Sequence, residues 1–216
     1  MSYGVNFDNV HNSLNLFSNQ MKQLEVSRET LIKETREVIS LCSKAIVFLH
    51  SGNIAEAESL LDKSILLIKN LKKHVIFDLD RYLWPAEQEY VEAFMLKEIV
   101  TRKPELSSCE SLNVSLNAYV TGMLDLIGEL KRMIYDSLRK NDTDFSLSLF
   151  EIMQSIYDLL YPFSIYDNIV NGIRKKLDIS KRIIEDVRTT MAEEYRRITF
   201  LNQFKQLSES AKPSSN

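Results

Sequence analysis

Tyr119-Val120-Thr121-Gly122-Met123-Leu124-Asp125-Leu126-Ile127-Gly128-Glu129-Leu130-Lys131-Arg132 reads as one helix with two unlike faces. At ~100° per residue, Val120, Met123, Leu124, Ile127, Leu130 and, further on, Ile134 fall on one side. Ala118, Gly122, Asp125, Glu129, Arg132 and Asp136 fall on the other. An ordinary solvated stripe is one reading of that second face. Against it, a glycine in a helix interior costs ~1 kcal/mol relative to alanine, and aspartate is also a poor interior residue. Here Gly122 and Gly128 bracket Asp125. A face that must admit another backbone, a metal or a substrate has a use for those losses, and a solvated face has none.

The same helical spacing runs outward in both directions. A long first helix is predicted from Phe7 to Leu49, with an apolar stripe through Val10, Leu14, Phe17, Met21, Leu24, Leu31, Val38, Leu41 and Ala45. Ser51-Gly52-Asn53 closes it. A second helix follows from Ile54 to Leu79, and a third begins at Trp84-Pro85, where proline suits the first turn, and runs to Arg102. The quoted helix is the fourth, from Asn113 to Arg139. Asn141-Asp142-Thr143-Asp144 is a turn and N-cap that opens a fifth, ending before Pro162. The sixth runs from Tyr166 to Leu207. With no internal repeat and no low-complexity linker, the chain reads as one all-α helical bundle over residues 1–207. The Ser-rich stretch 208–216 is expected to be a disordered tail.

Composition agrees. The chain has 216 residues with only five Gly and four Pro, which suits helices and allows a sizeable core. No apolar run is long enough to span a bilayer, and the N-terminus lacks a signal-peptide pattern. Cys42 and Cys109 are isolated and make neither a disulfide framework nor a zinc motif, so a reducing cytoplasm is expected. The net charge of −3 argues against a protein that coats nucleic acid indiscriminately. A localised basic surface remains compatible with it.

A second acidic pair lies in Gln88-Glu89-Tyr90-Val91-Glu92-Ala93. Glu89 and Glu92 share a helix face with Ala93, Leu96, Ile99 and Val100, whereas Glu87, Lys97 and Glu98 point elsewhere. Like charges on an apolar face are unfavourable unless a cation or a proton compensates. The plain alternative is a helix end exposed to water. Taken with Asp125 and Glu129, the pairs offer an all-oxygen donor set suited to Mg²⁺ or Mn²⁺. None of His11, His50 and His74 has a Glu three residues before it, which sets aside a di-iron bundle. Zinc lacks ligands, and there is no phosphate-binding Gly-rich loop and no Ser-His-Asp pattern.

These segments resemble the translin family, in particular its catalytic branch, that of translin-associated factor X. Gln88 to Ala93 is similar to that branch's acidic helix, and Tyr119 to Arg132 is similar to its YxxGxxDLxGELxR signature. Pro85-Ala86-Glu87-Gln88 looks more like translin itself. Ser27-Arg28-Glu29 and Thr35-Arg36-Glu37-Val38-Ile39 resemble the family's first helix. The likeness spans residues 20 to 200.

The resemblance implies a subunit of about seven helices that assembles into a hollow octameric barrel. It implies a Mg²⁺-dependent endoribonuclease acting on single-stranded RNA inside that barrel, with single-stranded DNA as a second candidate ligand. The catalytic and metal-binding residues would be Glu89, Glu92, Asp125 and Glu129. Arg28, Arg36 and Arg132 would hold phosphates, although solvated helix arginines would look the same. Features of both branches in one chain resemble a prokaryotic relative that forms a homo-oligomer. Two alternatives stand beside this reading. One is a non-catalytic oligomer that binds single-stranded RNA or DNA. The other is an all-α nucleoside-triphosphate pyrophosphohydrolase, whose second acidic motif is usually Glu-x-x-Asp rather than Asp125-x-x-x-Glu129.

Overall fold

The structure, a computed structural model, describes residues 4–170 and 172–210, without the side chains of 205 and 208–210. Seven α-helices, and no strand, occur among the described residues: α1 Asp8–His50, α2 Ile54–Leu71, α3 Trp84–Val100, α4 Cys109–Leu112, α5 Leu116–Arg139, α6 Thr143–Leu160 and α7 Ile173–Ser210. Short 3₁₀ turns occupy Lys72–His74, Leu79–Tyr82 and Tyr161–Tyr166. The chain is therefore all-α, as its periodicity requires. No helix among the described residues is long and apolar enough to cross a membrane.

The chain divides into two compact units, Met1–Gly122 and Met123–Asn216. In the first, α1, α2 and α3 pack on one another. Leu31, Val38, Cys42, Ala45 and Leu49 of α1 bury the lower part of its apolar stripe, and Ala57, Leu61, Ile68 and Leu71 do the same on α2. In α3, Ala86, Tyr90, Val91, Ala93, Met95, Leu96 and Ile99 are all buried, so this helix is enclosed on nearly every side. In the second unit α6 packs on α7 and on the 3₁₀ turn between them. Leu149, Met153, Ile156 and Leu160 of α6 and Ile173, Leu177, Ile184 and Val187 of α7 are buried in that unit.

Helix ends follow local chemistry where the sequence carries it. Gly52 at φ 80° releases the chain from α1. Asp142 caps α6 by accepting from the Phe145 N–H at 3.1 Å. Pro85 sits in the first turn of α3. Elsewhere the boundaries move. The second helix ends at Leu71, eight residues before the expected Leu79, because Val75 is extended and Phe77 adopts φ 50°. No Gly or Pro announces that break, and Leu79 and Leu83 beyond it are buried. The last helix starts at Ile173 rather than Tyr166, after Gly172 at φ 81°. It continues to Ser210, past the expected start of the tail at Ser208, and residues 211–216 of that tail lie outside the described residues.

Candidate acidic site on two helices

Each candidate carboxylate pair is placed within its own unit. On α3, Glu92 is 9% exposed and Glu89 is half-buried. Both lie beside the Cys42 thiol of α1, which donates to Ser64 Oγ at 3.6 Å. Burial pushes that thiol up to about 12, and the two carboxylates add to the effect. Cys42 is therefore a neutral, inert neighbour rather than a nucleophile.

Two further acids of α3 are buried as well, although the sequence placed them away from the apolar face: Glu87 and Glu98. Each is neutralised locally. Glu87 pairs with Lys72 Nζ at 3.2 Å and accepts from the Ser115 N–H at 2.9 Å. Glu98 accepts from the Ser107 N–H at 2.8 Å, from Ser107 Oγ at 2.6 Å and from Lys103. Burial works to raise the Glu98 carboxyl, but those hydrogen bonds prevail and hold it below the ordinary carboxylate range. These two acids pin the loops that flank α3. Trp84, at the start of α3, lines a cleft with Lys72, Asp80, Leu83, Glu87 and Val114.

Gly122 explains itself. A Cβ built there would meet the Gln88 carbonyl oxygen of α3 at 2.6 Å and Val91 Cβ at 2.9 Å. The glycine lets the backbone of α5 approach α3 at the turn that carries Glu89. Gly128 differs: a Cβ there would meet nothing within 4 Å. Close packing accounts for one of the two glycines, and nothing in the structure explains the other.

In the second unit Asp125 lies three residues past Gly122, on the same side of α5. Its Oδ1 is paired with the ammonium of Lys176 on α7. A turn later Glu129 lies 3.8 Å from Arg132, whose side chain is exposed. Within the polar stripe of α5, Asp125 is thus engaged by a cation of another helix, and Glu129 by Arg132 of the same stripe. Lys131 repeats the arrangement with reversed sign, pairing with Asp186 of α7 at 2.5 Å, where Tyr135 Oη also donates at 3.0 Å.

The candidate phosphate-holding arginines scatter. Arg28 is half-buried; its Nε donates to Tyr82 Oη at 3.1 Å and its guanidinium stacks 5.5 Å from that ring. Arg81 covers the same ring at 5.2 Å. Arg36 is exposed on α1, and Arg132 serves Glu129. Sequence reasoning did not single out Lys176, Arg81 or Tyr82. Lys176 carried one signal, its place in the basic run Arg174-Lys175-Lys176, but its partner is 51 residues away.

Among the described residues, no group of three or more His, Cys, Asp and Glu side chains is gathered as a metal ligand set. The donor chemistry nonetheless suits Mg²⁺, which keeps several waters and is usually held through one or two carboxylates.

The model of the translin family matches residues 26–191. An uncharacterised protein of the archaeon Methanocaldococcus jannaschii is 29% identical over 174 residues, covering 80% of this chain and 78% of its own. The structure of AfC3PO in a complex with duplex RNA superposes with a TM-score of 0.76 at 28% identity, over 88% of this chain and 99% of that one. The crystal structure of AfC3PO gives a TM-score of 0.78 at 29% identity, over 86% of this chain and 98% of that one.

Proposed function

The chain belongs to the translin family, and on that premise we propose that it is a Mg²⁺-dependent endoribonuclease of single-stranded RNA, active as a homo-oligomer, an octamer by family resemblance. Glu89, Glu92, Asp125 and Glu129 are its metal-binding and catalytic carboxylates in this reading. The observation that carries it is the α3 pair. Glu92 is nearly buried and half-buried Glu89 is one turn away, on a helix where the other buried acids, Glu87 and Glu98, serve loop geometry. Two carboxylates one turn apart on an enclosed helix give adjacent oxygen donors of the kind that hold Mg²⁺.

A Mg²⁺ ion held by these carboxylates would supply Lewis-acid chemistry toward a phosphate oxygen and would ease deprotonation of a water. Glu89 and Glu92 serve as ligands, or as base through a water, and Asp125 and Glu129 as ligands. Arg28, Arg36 and Arg132 are the first phosphate-holding candidates, with Arg81 added by its place beside Arg28 on the Tyr82 ring. A site enclosed within an oligomer favours flexible single strands over stiff duplexes.

The test is incubation of the purified protein with end-labelled RNA in Mg²⁺ and in EDTA. Asp125→Ala and Glu129→Ala variants run beside it, with duplex RNA and free nucleoside triphosphates as further arms. Internal cleavage of the single strand that needs Mg²⁺ and both carboxylates is the expected result. Full activity in Glu129→Ala would show the site to be misassigned.

A second reading has its own support. The Asp125 carboxylate already has a cationic partner in Lys176, and the similar protein AfC3PO forms a complex with duplex RNA. A non-catalytic RNA-binding oligomer would need no metal at Asp125. RNA bound and left intact in Mg²⁺ selects that reading, and release of pyrophosphate from triphosphates would replace both.

A further inference from the structure

Lys176 and Asp125 are equally part-exposed, each with 29% of its side chain accessible, and their contact joins α7 to α5 inside the second unit. A second polar contact joins the same helices. Ile173, Leu177 and Ser180 are buried around Lys176 on α7, and Lys131, Tyr135 and Asp186 tie the same two helices further along. Lys176 brings a fixed positive charge to a carboxylate that the functional reading assigns to a divalent cation. An ammonium at contact distance satisfies that carboxylate's charge and fixes its rotamer without any metal. It also competes for the same oxygen, since a divalent ion and an ammonium on one carboxylate repel each other.

We propose that Lys176 is the resident counter-ion of the acidic site: its ammonium keeps Asp125 charge-paired and oriented until a divalent cation takes its place, so that metal loading exchanges one cation for another. Lys176 is a positioning residue in this scheme. The proposal rests on the carboxylate reading above and adds a consequence that reading alone lacks: the wild-type chain binds its metal more weakly than its carboxylates allow.

The experiment is a Mn²⁺ titration of the RNA-free full chain, followed by the electron paramagnetic resonance signal of the free ion, with circular dichroism to confirm the fold. Four proteins are compared: wild type, Lys176→Met, Lys176→Arg and Asp125→Asn, with Lys176→Gln as a second neutral variant should Lys176→Met fold poorly. The neutral variants should bind Mn²⁺ about twofold to fivefold tighter than wild type, the size that a part-exposed ion pair supports. Lys176→Arg, which keeps the charge, should stay near wild type, and Asp125→Asn should bind more weakly. Unchanged or weaker Mn²⁺ binding in the neutral variants, with Asp125→Asn still impaired, would overturn the counter-ion role and leave the carboxylate site standing. Wild-type affinity in Asp125→Asn would overturn both.

Discussion

The two ends of α1 carry the same pattern and meet different fates. From Leu31 the stripe Leu31, Val38, Cys42, Ala45 and Leu49 is buried against α2 and α3. Toward the N-terminus Val10, Leu14, Phe17 and Met21 continue the alternation of four and three residues, and all are exposed. Helical periodicity records that a face is built to be covered; it does not record by what. The lower half is covered from within the chain. The upper half keeps a coiled-coil-like seam that the oligomer proposed above would fill from a neighbouring copy. Helix α7 repeats the contrast: Ile173, Leu177, Ile184 and Val187 are buried, whereas Tyr195, Phe200, Phe204 and Leu207 are exposed.

The sharpest way to break this comparison is to cut the same atoms from both halves. Leu31→Ala should lose about 2–5 kcal/mol of stability in chemical denaturation, the cost of a cavity in a packed core. A result near zero would mean that the lower seam is not the core it looks to be.

Glu98 tests cover of another kind, a buried charge supplied with donors. Glu98→Ala leaves the Ser107 N–H without its acceptor and should cost about 1–3 kcal/mol. The Glu98 carboxyl is held below its ordinary range, so its contribution is complete above that range and is lost as pH falls through the folded-state value. The stability gap between wild type and Glu98→Ala should therefore close on acidification from about pH 5 downward. A gap that widens on acidification would contradict the assignment.

The two glycines of α5 make the comparison at the scale of one methyl group. Gly122→Ala drives a Cβ into the α3 backbone and should destabilise by about 1–3 kcal/mol. Gly128→Ala meets open space and should stabilise by up to ~1 kcal/mol through helix propensity alone. Equal melting shifts for both would refute the close approach at Gly122.

The smallest effect on stability belongs to the upper half of α1. Leu14→Ala should stay within about 0.5 kcal/mol of wild type when unfolding of the dissociated chain is followed. Light scattering should instead report a loss of assembled mass. If Leu14→Ala unfolds the protein as readily as Leu31→Ala, the seam is covered within the chain after all.

Much of this was legible beforehand, for a physical reason. Helices with a two-faced pattern announce themselves locally, so α1, α3, α5 and α6 fall within a few residues of their expected limits. Asp142 announces its cap in the same way. The facing of Glu89 and Glu92 followed from spacing within one helix. What could not be read depends on distant segments. The break after Leu71 has no Gly or Pro to mark it, and the four-residue α4 is held by the Ser108 side chain accepting from the Ser111 N–H. Glu87 and Glu98 look like surface acids until Lys72 and Lys103 are seen to reach them. Gly172 was a readable stop that the apolar pattern of Tyr166 to Val170 obscured.

Trp84 is the chain's single tryptophan, and it stands at the head of the helix that carries Glu89 and Glu92, in a cleft with Lys72, Asp80 and Glu87 around it. That placement gives the molecule an optical handle requiring no label. Indole emission responds to the charges and water near it, so one native chromophore watches the entrance of the acidic helix while the rest of the chain stays dark at that wavelength. Arrival of a cation or a strand that shifts the head of α3 would register as a change in colour and intensity, in real time and in the unmodified protein.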